Sequence, residues 1–541
     1  MATTLTLALG VLGATYAFFA ILLRLTQHSQ EPPAVAKTIP FISPLFGFIH
    51  GMPNFLVNLR SVVAINTNQS IAKCGINAVK GPDRYDLPIY TLRMPGHRVY
   101  VVNSLTLIPQ VQRQIKTIAF APIEAQAADA VMGVGPAGNA VIGSERMFEN
   151  DSYLSTFVPS TKPALAPGPG LDSLNRATVR YMANSTKMLA EGGPATLELF
   201  AWVRRELFMA TTEAIYGPKN PFRDPKLEQA WFDFEPSIMV HMLKAWPAVF
   251  AQKGHRAREE LLIPAFERYF EENGHLQGSV LVQCRYKHNT GHGLRGRDLA
   301  ATEIGQMVAS LVNSIPAAFW MIYHIVSDQA VLRDCRKEVE QLVQVDGDGA
   351  RNVDLANAKS LCPGLLSTWQ ETLRYEHIGI AARVVMQDVI LDRYLLKKGA
   401  TVMTAAPVQH SDPKQWGPTA RVFNHRRFLR APGAGAKEKR TNPAAFRSFG
   451  GGTVLCPGRH FVTTEVLSFA ALLLLRFDVK PINGDNWVIP RKSVPMTTSM
   501  PIPKDAVPVR ITRRDDQDYH VHFSATSKGF DLVAEDTTEG D

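Results

Sequence analysis

The sequence predicts a mainly α-helical protein with small β-sheets, preceded by a single N-terminal transmembrane helix. Three observations carry this. Residues 2–23 hold no charged side chain, helical periodicity dominates from about Leu171 to Tyr375, and only short runs, near Ile89–Leu92 and Arg98–Val102, read as strands. The 541 residues are 45% hydrophobic and 20% charged, a globular balance that excludes a disordered, collagen-like or multi-span membrane chain. No internal repeat or long low-complexity tract marks a boundary. The expected organisation is a membrane anchor over 1–24, a Pro-rich linker over 25–48, one folded body over 49–528 and an acidic tail over 529–541.

Taken in order, the run from Ala2 to Leu23 is long enough, as a helix, to cross about 30 Å of hydrocarbon. The alternative, a cleaved signal peptide, needs a basic stretch before a shorter apolar core and a small-residue cleavage site. Here the basic residue, Arg24, comes after the run, which keeps the body in the cytosol. Pro32–Phe48 is Pro-rich and apolar and reads as a stiff linker along the membrane. Gln277–Asp298, Val345–Lys359 and Ala431–Asn442 read as exposed loops, and the residues after Gly529 as a frayed tail. A helix is predicted from about Ala300 to Val326, with Asp298 as its N-cap. Pro316 cannot donate to the carbonyl of Val312, so this helix should kink or open there, with Asn313 and Ser314 as the polar residues at the opening. The net charge of +9 suits an anionic membrane surface or an acidic partner and is too small and dispersed to argue for nucleic acid.

Five cysteines without a Cys-x-x-Cys pair indicate neither a disulfide framework nor a zinc site. One of them has distinctive surroundings: Phe449-Gly450-Gly451-Gly452-Thr453-Val454-Leu455-Cys456-Pro457-Gly458-Arg459, with a long apolar helix after it. The glycines allow a tight turn with exposed N–H groups, and a helix N-terminus behind Cys456 favours the thiolate that ligates metal or attacks as a nucleophile. A small buried thiol, or a nucleophile with His460 as its base, remain alternatives.

The spacing Phe-x-x-Gly-x-x-x-Cys-x-Gly resembles the cytochrome P-450 family, and the segment Trp202–Phe222, together with the N-terminal anchor, resembles its microsomal filamentous-fungal members. The resemblance implies the P-450 fold, with Cys456 as the thiolate ligand of a haem b iron. It also implies that Phe449 packs by the ligand and that Gly450, Gly452 and Gly458 let the loop approach the macrocycle. Glu371 and Arg374 lie three apart on one helix face, which taken alone reads as a surface salt bridge. In the family this pair is buried and joined by a later arginine, here Arg427 after Asp412-Pro413 and Trp416, as a structural triad. Asn313 and Ser314 stand where the family has an acid and a threonine that deliver protons for dioxygen activation. With Pro316 and Ala318-Phe319-Trp320 they resemble the sterol 7-alpha-hydroxylase and prostacyclin synthase branch, some of whose members hydroxylate and others isomerise. Arg383 is the implied partner of a haem propionate. Val454 stands where the family has Arg or His, and no Trp-x-x-x-Arg occurs from Met147 to Met182, which leaves Arg180 and Lys162 as further candidates.

The implied activity is that of a haem-thiolate monooxygenase. Electrons come from an NADPH-cytochrome P-450 reductase, with cytochrome b5 as a second donor, and the acidic partner docks near Arg459 or Arg447. The substrate is a lipophilic terpenoid, steroid-like or polyketide-derived compound of secondary metabolism. The implied place is the endoplasmic reticulum membrane, crossed once, with lipid as a partner and no nucleic acid. Two alternatives stand beside it: a haem-thiolate isomerase or dehydratase acting on a peroxide without reductase, and a membrane-anchored haem-binding protein without turnover.

Overall fold

The computed structural model describes residues 2–35, 39–49, 55–56, 87–429, 442–482, 484, 486–525, 529–533 and 536. Of the loop expected over 431–442, all but Asn442 lies outside the described residues. The chain forms two compact units. Met1–Phe120, His377–Arg421 and Arg440–Leu455 make the first; Ala121–Glu376, Val422–Lys439 and Cys456–Asp541 make the second.

The first unit is built on a five-stranded sheet in the order Ile89–Met94, His97–Val102, Thr401–Ala405, Ile380–Val385, Ile118–Ala119. The first two strands form a hairpin closed at Met94 and His97, and Gly96, at φ +69°, supplies the left-handed turn residue. Strand alternation sorts the side chains by face. Ile89, Tyr100 and Val102 enter one apolar cluster with Leu107, Ile108 and Val111, and Tyr90, Leu92, Val99 and Val101 enter another with Val408.

The chain before this sheet is a 25-residue helix, Ala2–Thr26, about 37 Å long at 1.5 Å per residue. The stretch after it is not the linker expected from its prolines. Thr91 N donates to Pro33 O at 2.8 Å and Val35 N to Thr91 O at 2.9 Å. Glu31 is 5% exposed and accepts from the Tyr100 hydroxyl at 2.8 Å. Up to Val35 the segment extends the sheet, and Ile42–Ile49 is a further short helix.

The second unit is helical. Its long members are Pro169–Glu191, Leu199–Tyr216, Gly296–Leu311, Ser314–Ser327, Pro363–Glu376 and Arg459–Arg476. The stretch Gly296–Ser327 is apolar and long enough to cross a membrane, but most of it is buried inside this unit as a core helix pair. It is interrupted at Val312–Asn313, three residues before Pro316, where the missing proline N–H predicts an opening. Asp298 is not its N-cap. Arg295 holds that place, and the Asp298 carboxylate instead accepts from Gly135 N at 2.7 Å and Gly138 N at 2.9 Å, capping the helix Pro136–Ile142.

Other expectations are corrected in this unit. Gln277–Asp298 is not an open loop: Val280–Gly291 is a helix. Its buried face joins Leu281 and Val282 to Arg285, paired with Glu303, and Asn289, bonded to the hydroxyls of Tyr153 and Thr302, so apolar periodicity fades along it. Within Val345–Lys359 lies the strand Arg351–Asp354, paired with the edge strand His520–His522. The tail is anchored at least to Asp536: Phe530 and Leu532 are buried, and Asp536 accepts from Leu532 N and Val533 N at 3.0 Å each.

Candidate functional site

The candidate residues fall in both units. In the first, the turn Phe449–Leu455 is shaped by two glycines in left-handed conformation, Gly450 at φ +83° and Gly452 at φ +61°. A Cβ on Gly450 would meet Val454 O at 2.8 Å, and one on Gly452 would meet the Gln112 side chain at 3.2 Å. Leu455 N closes the turn on Gly452 O at 3.1 Å. Phe449 is half-buried. Arg383, on the strand Ile380–Val385, is buried, and its Nη1 donates to Ile118 O at 3.4 Å.

In the second unit, Cys456 precedes the helix Arg459–Arg476. Burial pushes its thiol up, while N–H groups of Gly458 and Arg459 and the Arg459 charge act in the opposite direction. Sγ therefore faces donors arranged for a thiolate, in surroundings where the thiolate needs a further positive charge to persist. Gly458 has an ordinary φ of −83° and serves as the helix N-cap. His460 is not placed as a base: Phe530 N donates to its Nδ1 at 3.2 Å and its Nε2 lies 3.6 Å from Asp536. Arg459 is buried, with Nε 2.7 Å from Asp536 Oδ1, and Arg447 is also buried, so neither forms a docking surface for an acidic partner. Arg180 and Lys162 are exposed on their helices.

The helix Pro363–Glu376 brings Glu371 and Arg374 together, fully buried. Arg374 Nε and Nη2 each lie 2.7 Å from a Glu371 oxygen. Arg427 Nε adds contacts of 3.0 and 3.1 Å, and Asn424 N donates to the same carboxylate at 2.9 Å. The carboxylate is thus saturated by cationic and backbone donors, the condition under which a buried pair is tolerable.

At the helix interruption, Asn313 Oδ1 accepts from Ser499 N at 2.6 Å, and Ser314 Oγ donates to Ser310 O at 2.6 Å. Three further polar groups were not singled out by the sequence. Glu465, one of the fully buried residues of the helix after Cys456, is pushed up to about 8 by burial, and Thr211 Oγ1 donates to it at 2.6 Å. His377 is pushed down to about 4 by burial and by the nearby Arg447 charge. Glu376 binds both His324, at 3.0 Å, and Lys492, at 2.5 Å. Each lies outside a contiguous motif, and only partners distant in sequence reveal it.

Residues 238–508 match the family model described as Cytochrome P450. A protein of Hypoxylon pulicicidum named cytochrome P450 monooxygenase nodJ is 30% identical over 505 residues, 92% of each chain. The chain belongs to the cytochrome P450 family. A Gibberella zeae cytochrome P450 monooxygenase is 28% identical over 90% of this chain and 89% of its own. Cytochrome P450 7A1 of Oryctolagus cuniculus is 26% identical over 58% of this chain and 67% of its own. This P450 is therefore a monooxygenase, and membership implies a haem-thiolate iron. The residues present in the second unit fit that group: one thiol backed by N–H donors of Gly458 and Arg459 at the head of a helix.

Proposed function

We propose that this P450 uses haem held by Cys456 to oxidise a lipophilic small molecule of fungal secondary metabolism, a terpenoid, steroid-like or polyketide-derived compound. The observation that carries the reading is the Cys456 thiol backed by N–H groups of Gly458 and Arg459 at the head of a long buried helix. The haem, when bound, supplies dioxygen activation with electrons drawn from an NADPH-dependent reductase, cytochrome b5 being a second donor. Cys456 would supply the sulfur that holds the iron, and the N–H donors of Gly458 and Arg459 would spread its charge. Phe449 and the Gly450, Gly452 and Gly458 backbone would border the macrocycle, and Arg383 would pair a propionate. Glu371, Arg374 and Arg427 lock the helix Pro363–Glu376 to the segment around Asn424. Asn313 and Ser314 are the polar groups at the interrupted helix, where Ser314 Oγ holds its proton on Ser310 O.

The N-terminal helix is the proposed single-pass anchor in the endoplasmic reticulum, with the body in the cytosol. A second lipid contact is proposed at the exposed apolar residues Leu243, Trp246, Val249 and Phe250, beside the exposed Lys244 and Lys253.

The deciding experiment is the carbon monoxide difference spectrum of reduced wild-type protein beside Cys456→Ser. A red-shifted Soret band lost in the variant supports the ligand. A folded wild-type protein without a haem band refutes it. NADPH- and reductase-dependent substrate consumption then separates monooxygenation from isomerisation of a peroxide.

A further inference from the structure

The helix Val280–Gly291 ends in the run His288-Asn289-Thr290-Gly291-His292. Histidines four residues apart share one helix face. The spacing stays helical through the C-cap, where His292 N donates to His288 O at 3.1 Å. Opposite them is the start of the helix Tyr153–Leu165, which turns Tyr153, Thr156 and Phe157 to the same side. Thr156 Oγ1 lies 3.0 Å from His288 Nε2 and 3.2 Å from His292 Nε2. Two imidazole nitrogens of one helix thus converge on one oxygen of another, with their ring centroids 4.6 Å apart. The hydroxyl donates its own hydrogen to Ser152 O, at 2.7 Å, so its lone pairs face the two rings. Packing holds the rings in place. The Tyr153 ring lies 4.8 Å from His288 and 5.5 Å from His292, the Phe157 ring lies 5.5 Å from His288, and the Tyr153 hydroxyl donates to Asn289 Oδ1 at 2.8 Å. Thr156 and His292 are half-buried, which leaves a path from solvent.

We propose that His288 Nε2, His292 Nε2 and Thr156 Oγ1 bind one divalent zinc-class ion, and that this ion staples the helix Tyr153–Leu165 to the helix Val280–Gly291. Imidazole nitrogen suits zinc, nickel and copper, whereas magnesium and calcium take oxygen ligands. Among the described residues no three His, Cys, Asp or Glu side chains gather as a metal site, so the hydroxyl and water complete the set. Zinc sits about 2.0–2.1 Å from an imidazole nitrogen, which places it between the two Nε2 atoms on the side facing Oγ1. On binding, a proton on Nε2 passes through solvent to Nδ1 of the same ring, and the freed lone pair meets the metal. The helix being stapled is weak along its own axis. Pro159 and Pro163 lie inside it, so the carbonyls of Ser155 and Pro159 lose their helical N–H donors. The ion would tie this helix down one residue past Ser155, where its backbone ladder is first interrupted.

The test titrates zinc chloride into tag-free, full-length holoprotein at about pH 8, above the usual imidazole range. Wild type is compared with His292→Ala and with His292→Gln, which keeps a polar side chain beside Thr156 but supplies no imidazole. Calorimetry should count one zinc site more in wild type than in either variant. The melting temperature of wild type should rise by about 5 °C at a hundredfold excess of zinc over the dissociation constant, and that of the variants should not follow. Magnesium chloride should shift none of them. Amide exchange over residues 153–165, read by mass spectrometry, should slow with zinc in wild type alone. Equal zinc stoichiometry and equal melting shifts in wild type and both variants overturn the proposal, as does an equal response to magnesium. Zinc binding that is lost in the variants, with exchange over 153–165 unchanged by zinc in wild type, overturns the staple.

Discussion

Replacing Glu371 by alanine removes the acceptor shared by Nε and Nη2 of Arg374, Nε of Arg427 and the N–H of Asn424. Arg374 is only 2% exposed, so its guanidinium would be left charged in the interior. Breaking a buried pair in this way costs about 3–5 kcal/mol, a large part of the roughly 5–15 kcal/mol that a protein holds in reserve. At about 2 °C per kcal/mol, the lower end for large domains, the melting temperature should fall by roughly 6–10 °C. Arg427→Ala leaves Arg374 paired and should cost less, about 1.5–3 kcal/mol for one charge-assisted contact. Differential scanning fluorimetry of both variants, with the Soret band followed in the same samples, gives the comparison. Equal melting of Glu371→Ala and wild type would refute the argument, as would Arg427→Ala proving the more damaging of the two.

Further outcomes are expected elsewhere. Gly450→Ala must place a Cβ 2.8 Å from Val454 O at φ +83°, and should cost about 1–3 kcal/mol of local strain, read as faster haem transfer to apomyoglobin. Glu465 has its folded value raised from 4.5 to about 8, so the native state binds more protons than the unfolded one between those values. Its stabilising contribution is complete below pH 4.5 and is lost as pH rises through about 8; Glu465→Gln should flatten the melting temperature over that window. Trp246 is 74% exposed, and its emission should be quenched by brominated lipid when the full chain is placed in vesicles, with the quenching reduced in Trp246→Phe.

What could be read from the sequence was what is contiguous or periodic. The turn around Cys456 is a short string, Glu371 and Arg374 share one helix face, and Pro316 marks an interruption through one missing N–H. Arg427 was legible only because a family pattern names the place to look. The misreadings have physical causes. Asp298 has the residue type of an N-cap, yet Gly135 and Gly138 draw its carboxylate to another helix. Val280–Gly291 hides its helical character because Arg285 and Asn289 turn inward to Glu303 and Thr302 where an apolar residue would be expected. Glu31 looked like part of a tether until Tyr100, 69 positions on, supplied its donor. The contact of Asn313 with Ser499 carries no local signal at all, since donor and acceptor lie 186 positions apart.

The seating of Asp536 bears on how this enzyme is best handled as a reagent. Its buried carboxylate binds Arg459, three residues after Cys456, and lies beside His460 on the same helix turn. Cutting the chain back to residue 528, as the acidic composition of the tail invites, would strip the counter-ion from a buried arginine next to the sulfur. An affinity tag on this side of the chain should therefore follow Asp536 through a flexible spacer, so that Asp536 keeps its place on Arg459.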